Sequence, residues 1–347
     1  MLIKIAINGF GRIGRSTFKE ILSKYPNLEV VAINDLTDSK TLVHLLKYDS
    51  LYGIYNKAIK LTESSLVING VKKEQTIKLF TEKDPTNLPW KELDVDIVLE
   101  CTGNFENYEG AKKHIIAGAK KVIISTPSKD PDQIPSFVLG VNEDRLDLEK
   151  YDIIDMASCT TNCLAPIAKV LNDNFKIIKG FMSTIHAYTN DQRILDLPHR
   201  DLRRARAAAL SIIPTTTGAA KSIGNVIPEL KGKLDGLAFR IPIPTVSLLD
   251  FVCETEKVTT SEEVNYVLRR ASSQENLKGI LGVEDALLVS IDYKGNSYSA
   301  IVDSSLTTVK DNLIKIVAWY DNEWGYSCRL AQFTEYVGKK LKTDIIR

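Results

Sequence analysis

The sequence predicts an α/β protein of two domains, an N-terminal doubly wound parallel sheet followed by an α+β unit on a mixed or antiparallel sheet. Three observations carry this. Short, nearly continuous apolar runs alternate with helix-like segments through residue 155, as strands buried on both faces do. A glycine-rich turn joins the first run to the first helical segment. Beyond residue 173 the apolar stretches lengthen and the regular alternation with helices is lost.

In order, residues 2–7, 30–33, 95–99, 122–124, 137–141 and 153–154 read as strands of the first domain. Between the first two, Arg12–Lys24 spaces Ile13, Phe18, Ile21 and Leu22 helically, which makes a βαβ unit. Residues 159–173 form an amphipathic helix with Leu164, Ile167, Ala168 and Leu171 on one stripe. Residues 180–185, 237–241, 246–252, 287–292 and 314–320 read as strands of the second domain. Residues 187–206 are polar, charged and without apolar period, so a long and functional loop is expected there. The expected division is 1–157 for dinucleotide binding and 158–321 for catalysis, with 322–347 returning to the first domain.

The bulk properties exclude several function classes. Lys and Arg number 45 against 44 Asp and Glu, so no global basic field exists to hold nucleic acid or an anionic membrane. The N-terminal apolar run is too short for a signal peptide, and no run reaches the length of a transmembrane helix. Five cysteines, an odd number, point to free thiols in a reducing compartment and hence to the cytoplasm. Cys159 and Cys163 have no second cysteine or histidine pair to complete a zinc set, so no metal site is expected.

Gly9-Phe10-Gly11-Arg12-Ile13-Gly14 is G-x-G-x-x-G between a strand and a helix. In that context Gly9, Gly11 and Gly14 serve a tight turn, approach to a pyrophosphate, and helix–strand packing, as in a Rossmann-type site. Asp35 follows the second strand at the spacing of a ribose-binding acid. A carboxylate there repels a 2′-phosphate, which favours NAD over NADP.

Cys159 lies at the start of the 159–173 helix, where the helix dipole favours thiolate. Cys101, Cys163, Cys253 and Cys328 lie inside apolar or helical segments and read as structural. Among four histidines, His186 ends a strand and opens the long loop, so it can project into a cleft; His44 and His114 lie in helix-like segments and His199 in the loop. Cys159 and His186 are expected to activate each other as an ion pair.

Six blocks, NGFGRIGR (8–15), ASCTTNCLAP (157–166), HAYTNDQ (186–192), RRARAAA (203–209), PTTTGAAK (214–221) and WYDNEWGYS (319–327), resemble phosphorylating glyceraldehyde-3-phosphate dehydrogenases in order and spacing across nearly the whole chain. The resemblance implies that Cys159 adds to an aldehyde and His186 takes the proton as hydride passes to NAD, leaving a thioester that inorganic phosphate attacks. It implies a substrate-phosphate site at Thr189, Asp191 and Arg240. A second anion site is implied at Ser158, Thr160, Thr217, Gly218 and an arginine of 203–206; counting back from PTTTGAAK favours Arg206, with Arg203 and Arg204 as alternatives. Arg12, Ile13, Asp35, Lys83, Ser125 and Asn322 match NAD-contacting positions, Tyr326 is placed near the nicotinamide, and Leu197-Pro198 resembles NAD-preferring members. A homotetramer is implied as well.

Two departures stand out. Asp155-Met156 precedes the nucleophile where the family has a small polar residue and an asparagine, which bears on backbone support near Cys159. Ile243 and Thr245 replace a threonine and an asparagine or aspartate near Arg240. Two competing functions are an erythrose-4-phosphate dehydrogenase, which hydrolyses the thioester, and a catalytically idle binding protein. The HAYTND and PTTTGAAK blocks oppose the first; Cys159 together with His186 opposes the second.

Overall fold

A computed structural model describes residues 2–70 and 73–344. The chain forms two compact units. The first takes the chain to Phe137, adds Arg145–Ala157, and takes it up again from Ser327; the second takes Val138–Asp144 and Ser158–Tyr326.

The first unit is built on an eight-stranded sheet in the order Ile153–Asp155, Lys121–Ile124, Ile97–Glu100, Ile3–Asn8, Leu28–Asn34, Glu74–Phe80, Ser65–Asn69, Ile59–Leu61. The first six are parallel and the last two antiparallel. Burial of Ile5, Ile7, Val30, Ile33, Val98, Leu99, Val122 and Ile123 explains why these strands read as unbroken apolar runs. The helix Arg12–Lys24 buries Phe18, Ile21 and Leu22. It stops at Tyr25, because Pro26 disfavours helical geometry in the residue before it. From Ile3–Asn8 the sheet extends both ways, to Leu28–Asn34 on one side and Ile97–Glu100 on the other. Their C-terminal ends form the crevice where doubly wound sheets take ligands.

The second unit carries a mixed sheet in the order Ile213–Thr216, Leu234–Ile241, Ile177–Ala187, Ser247–Thr255, Leu313–Tyr320, Ala300–Asp303, Leu281–Glu284. Ser247–Thr255 alternates strictly between buried and half-buried residues, so one face is packed. The helices Cys159–Phe175, Ala219–Val226 and Ser261–Ser272 lie against the sheet or one another.

Two expected strands are not strands. Residues 137–141 form a turn: Gly140 takes a φ of 80°, and the Asn142 side chain accepts from the Val138 amide at 2.8 Å. In 287–292 the apolar side chains of Leu287, Val289 and Ile291 face solvent, and Ser290–Tyr293 is a 3-10 turn that buries Tyr293. The helix Ser261–Ser272 was not anticipated, although Thr260, whose side chain accepts from the Glu263 amide, is a legible cap.

Candidate active site

The first unit offers a cleft lined by Asn8, Gly9, Gly11, Asn34, Asp35 and Thr102 among others. Its glycines answer to different constraints. A Cβ on Gly9 would lie 2.7 Å from the backbone of Cys101 and Thr102, and one on Gly14 would lie 2.2 Å from the Gly9 carbonyl oxygen. Protein packing demands both. Around Gly11, by contrast, a Cβ meets nothing within 4 Å. Gly11 is also the N-cap of Arg12–Lys24 and has no side chain with which to satisfy the first-turn amides. An open glycine above a helix N-terminus fits a pyrophosphate.

Asp35 Oδ2 accepts from the Phe10 amide at 2.7 Å and Oδ1 from the Thr37 amide at 2.9 Å, so the carboxylate braces the glycine turn while facing the cleft. Arg12 pairs with Asp49 at 2.9 Å, and Ile13 is half-buried. Lys83 is exposed, and the Ser125 amide donates to the Glu100 carbonyl. Asn322 and Tyr326, in the second unit, are buried; Asn322 Oδ1 accepts from Ser247 Oγ at 3.0 Å.

In the second unit Cys159 is the first residue of its helix, and the Ser158 hydroxyl caps that helix by accepting from the Thr161 amide at 3.0 Å. His186 lies near the end of the strand Ile177–Ala187, and its Nε2 is 3.5 Å from Cys159 Sγ. The other ring nitrogen, Nδ1, lies 2.7 Å from the Ala187 carbonyl. Arg240 is paired in register with His186 on the parallel strand Leu234–Ile241, and it places Nη1 2.5 Å from Nδ1 and 3.1 Å from the same carbonyl. Beneath, Tyr320 Oη bonds Thr160 Oγ1 at 2.9 Å and Thr184 Oγ1 at 2.8 Å, and its ring meets the imidazole edge-on.

The electrostatics correct the expected ion pair. Burial, reinforced by the Arg240 charge, lowers the His186 pKa to about 3. Burial also raises the Cys159 thiol, against the pull of Arg240 and the Thr160 hydrogen bonds. The pair in the free protein is therefore thiol and neutral imidazole.

The candidate arginines of 203–206 are placed differently. Arg206 is turned outward onto Asp196 at 2.8 Å with 68% of its side chain exposed. Arg204 instead pairs with Asp191, donates from Nε to Thr215 Oγ1 at 2.9 Å, and adds its charge to the field at His186 and Arg240. Two residues apart, Arg204 and Arg206 take different partners and differ in exposure, 18% against 68%, which spacing alone could not resolve. Asp191 is held by Arg204 and His199; the Thr189 amide donates to Gln192 Oε1 at 3.2 Å, and its carbonyl accepts from the Gln192 amide at 2.9 Å. Thr217 Oγ1 accepts from the Ala219 amide, and Gly218 caps Ala219–Val226 with open space where a side chain would be. The Thr160 hydroxyl is turned into the core toward Tyr320. Tyr320 and Thr184 were missed at the sequence level; Tyr320 lies within the WYDNEWGYS block, but its partners are 136 and 160 residues away.

Comparison with known proteins matches residues 3–108 to the family model of the glyceraldehyde 3-phosphate dehydrogenase NAD binding domain, and 158–322 to that of its C-terminal domain. The chain is 55% identical over 341 residues to a glyceraldehyde-3-phosphate dehydrogenase of Geobacillus stearothermophilus, covering 98% of this chain and 99% of the relative. It is 52% identical over 342 residues to that of Streptomyces coelicolor, covering 98% and 100%. With glyceraldehyde-3-phosphate dehydrogenase 2 of a Nostoc strain it shares 55% over 342 residues, covering 98% and 99%. The chain therefore belongs to the glyceraldehyde-3-phosphate dehydrogenase family.

Proposed function

We propose that this protein oxidises D-glyceraldehyde 3-phosphate with NAD and phosphorylates it to 1,3-bisphosphoglycerate through a thioester on Cys159. The observation that carries the reading is the 3.5 Å approach of Cys159 Sγ to His186 Nε2 at a helix N-terminus, beside the half-buried Arg240. For Nε2 to present a lone pair, His186 carries its hydrogen on Nδ1, toward the Ala187 carbonyl, and Arg240 Nη1, which can only donate, turns from Nδ1 to the substrate phosphate. Sγ attacks the aldehyde carbon while its proton passes through Nε2 to the carbonyl oxygen, giving a thiohemiacetal. Bound NAD supplies the hydride acceptor. As the C–H electron pair leaves, Nε2 takes the hydroxyl proton and the carbon becomes a thioester. A phosphate oxygen then attacks, the C–S bond breaks, and His186 returns the proton to sulfur. The Cys159 amide and the imidazole face the developing oxyanion charge.

Arg240, with Thr189 and Asp191 nearby in the chain's polar loop, serves the substrate phosphate. Arg204, Thr217, Gly218 and the helix end placed by Ser158 and Thr160 serve the attacking phosphate. Gly9, Gly11, Arg12, Ile13, Gly14, Asp35, Lys83, Ser125, Asn322 and Tyr326 serve NAD; the first compact unit is the NAD-binding domain and the second the catalytic domain, departing from the expected 1–157, 158–321 and 322–347 only in that Val138–Asp144 and residues 322–326 belong to the second.

A homotetramer is part of this reading. Phe181 and Leu237 are 72% and 49% exposed on the mixed sheet, and the polar loop exposes Ile194, Leu195, Leu197 and Leu202; surface of that kind favours burial against further copies. So is a cytoplasmic setting: the five cysteines are free, and among the described residues no helix is long and apolar enough to cross a membrane.

Initial rates of NADH formation with glyceraldehyde 3-phosphate and with erythrose 4-phosphate, with and without inorganic phosphate, test the function. Phosphate-dependent turnover strongly favouring the triose is expected. Phosphate-independent oxidation favouring the tetrose, or no turnover, overturns the reading.

A further inference from the structure

Asp155 is fully buried, and the groups that hydrogen-bond its carboxylate are neutral donors. Oδ1 accepts from the Ala157 amide at 2.8 Å, Oδ2 accepts from the Ser128 amide at 3.0 Å, and the Ser136 hydroxyl bonds the same carboxylate. Its backbone is held on both sides. The Asp155 amide donates to the Pro135 carbonyl, its own carbonyl accepts from Phe137, and Met156 donates to Ile124. Ala157 then takes a left-handed φ of 53°, a conformation that costs an alanine energy and persists only where its surroundings enforce it. The next residue, Ser158, caps the helix that begins with Cys159.

The ionisable side chains on flanking elements are turned to other partners: Lys121 to Asp152, Lys129 to Glu106, and Asp130 to the Tyr108 amide. Among the described residues no countercharge acts on this acid, yet a hydroxyl or amide of smaller cost would fill the same space. What the ionised carboxylate alone provides is two acceptor oxygens for two amides that point at it from different segments.

We infer that Asp155 is a positioning residue for the nucleophile, its ionised carboxylate holding the left-handed turn at Ala157 that sets where the Cys159 helix begins. Protonation gives one oxygen a hydrogen, which confronts an amide hydrogen and releases one of the two bonds. Burial raises this acid to about 6. His186 is lowered to about 3 and Cys159 is raised, so neither member of the proposed catalytic pair titrates in that region. The positioning of Cys159 therefore weakens as pH falls through about 6.

The inference rests on Cys159 as the nucleophile, and its test separates the two ideas. The rate of iodoacetamide alkylation at Cys159, resolved by mass spectrometry, is measured from pH 5 to 9 on the free full-length protein, so that substrate phosphates, which titrate in the same range, are absent. Asp155→Asn and Asp155→Ser are compared with the unmodified protein, with circular dichroism to establish folding. Expected is a fall in alkylation below pH 6 steeper than thiolate loss alone, absent from both variants. Turnover at pH 7.5 should drop by on the order of tenfold or more in Asp155→Asn, less in Asp155→Ser, with KM for NAD unchanged. A folded variant with unaltered turnover, or an unmodified protein whose alkylation follows thiolate loss alone, overturns it. Turnover surviving Cys159→Ser would instead remove the nucleophile assignment and leave the alkylation result to stand by itself.

Discussion

Arg240 and His186 lie opposite each other on adjacent parallel strands, and Arg240 Nη1 is 2.5 Å from His186 Nδ1. The guanidinium is always charged and has no acceptor, so it opposes a second proton on the ring. The same charge draws Cys159 toward thiolate. One cation thus keeps the base neutral and eases the nucleophile's ionisation, while remaining available to an anionic substrate.

The first prediction is that His186 stays neutral across the working pH range. Nitrogen NMR of labelled histidine should show no protonation of this ring above about pH 4, since burial and Arg240 hold its pKa at about 3. Arg240→Leu should raise it. A midpoint near 6.5 in the unmodified protein would show that the ring is not held as described.

Thiol reactivity should rank the cysteines. Cys159 and Cys101 are both half-buried, but Arg240 partly offsets the burial of Cys159, whereas burial pushes Cys101, Cys253 and Cys328 up to about 12. Iodoacetamide at pH 8 should label Cys159 first, and Arg240→Leu should slow that labelling several-fold. Equal labelling of Cys101 and Cys159 would contradict it.

The two arginines of the polar loop should separate in kinetics. Arg204→Ala removes the contacts to Asp191 and Thr215 and should raise KM for inorganic phosphate by about ten- to a hundredfold, the worth of a charged hydrogen bond of ~1.5–3 kcal/mol. Arg206→Ala, which loses only an exposed pair with Asp196, should leave that KM within about twofold. The reverse pattern would restore Arg206.

Asp35 should control cofactor choice. The unmodified enzyme should show a far higher kcat/KM with NAD than with NADP. Asp35→Ala should narrow the gap and weaken NAD as well, because the Phe10 amide loses its acceptor. Comparable efficiency with both cofactors before mutation would remove Asp35 from this role.

Stability should carry two opposed pH dependences. His186 is depressed on folding, so stability is full above pH 6.5 and lost as pH falls toward 3. Asp155 is raised from 3.8 to about 6, so its stability is full below 3.8 and lost as pH rises through 6, at a cost on the order of 3 kcal/mol above that. Between pH 4 and 6 the two slopes oppose. Urea unfolding of Asp155→Asn should expose a steeper acid loss than the parent shows; an unchanged slope would mean Asp155 ionises freely.

The sequence by itself determined the architecture of the first unit and singled out Cys159 and His186 as the candidate reacting groups. Strands buried on both faces must be continuously apolar, a pyrophosphate turn must be glycine, and a nucleophile at a helix N-terminus announces itself through local neighbours. Arg12–Lys24 and Cys159 were legible for that reason. A strand as short as Ser65–Asn69, in the sheet's antiparallel part, buries only Leu66 and Ile68, and two alternations are too brief a pattern to be told from a loop. Tertiary structure alone decided which groups meet. The register that sets Arg240 against His186 joins residues 54 apart, and the choice of Arg204 over Arg206 follows from the path of a loop without period. It also decided protonation: helix-end chemistry favours thiolate at Cys159, but burial outweighs it, because desolvation acts on the whole charge and depends on everything packed around the site.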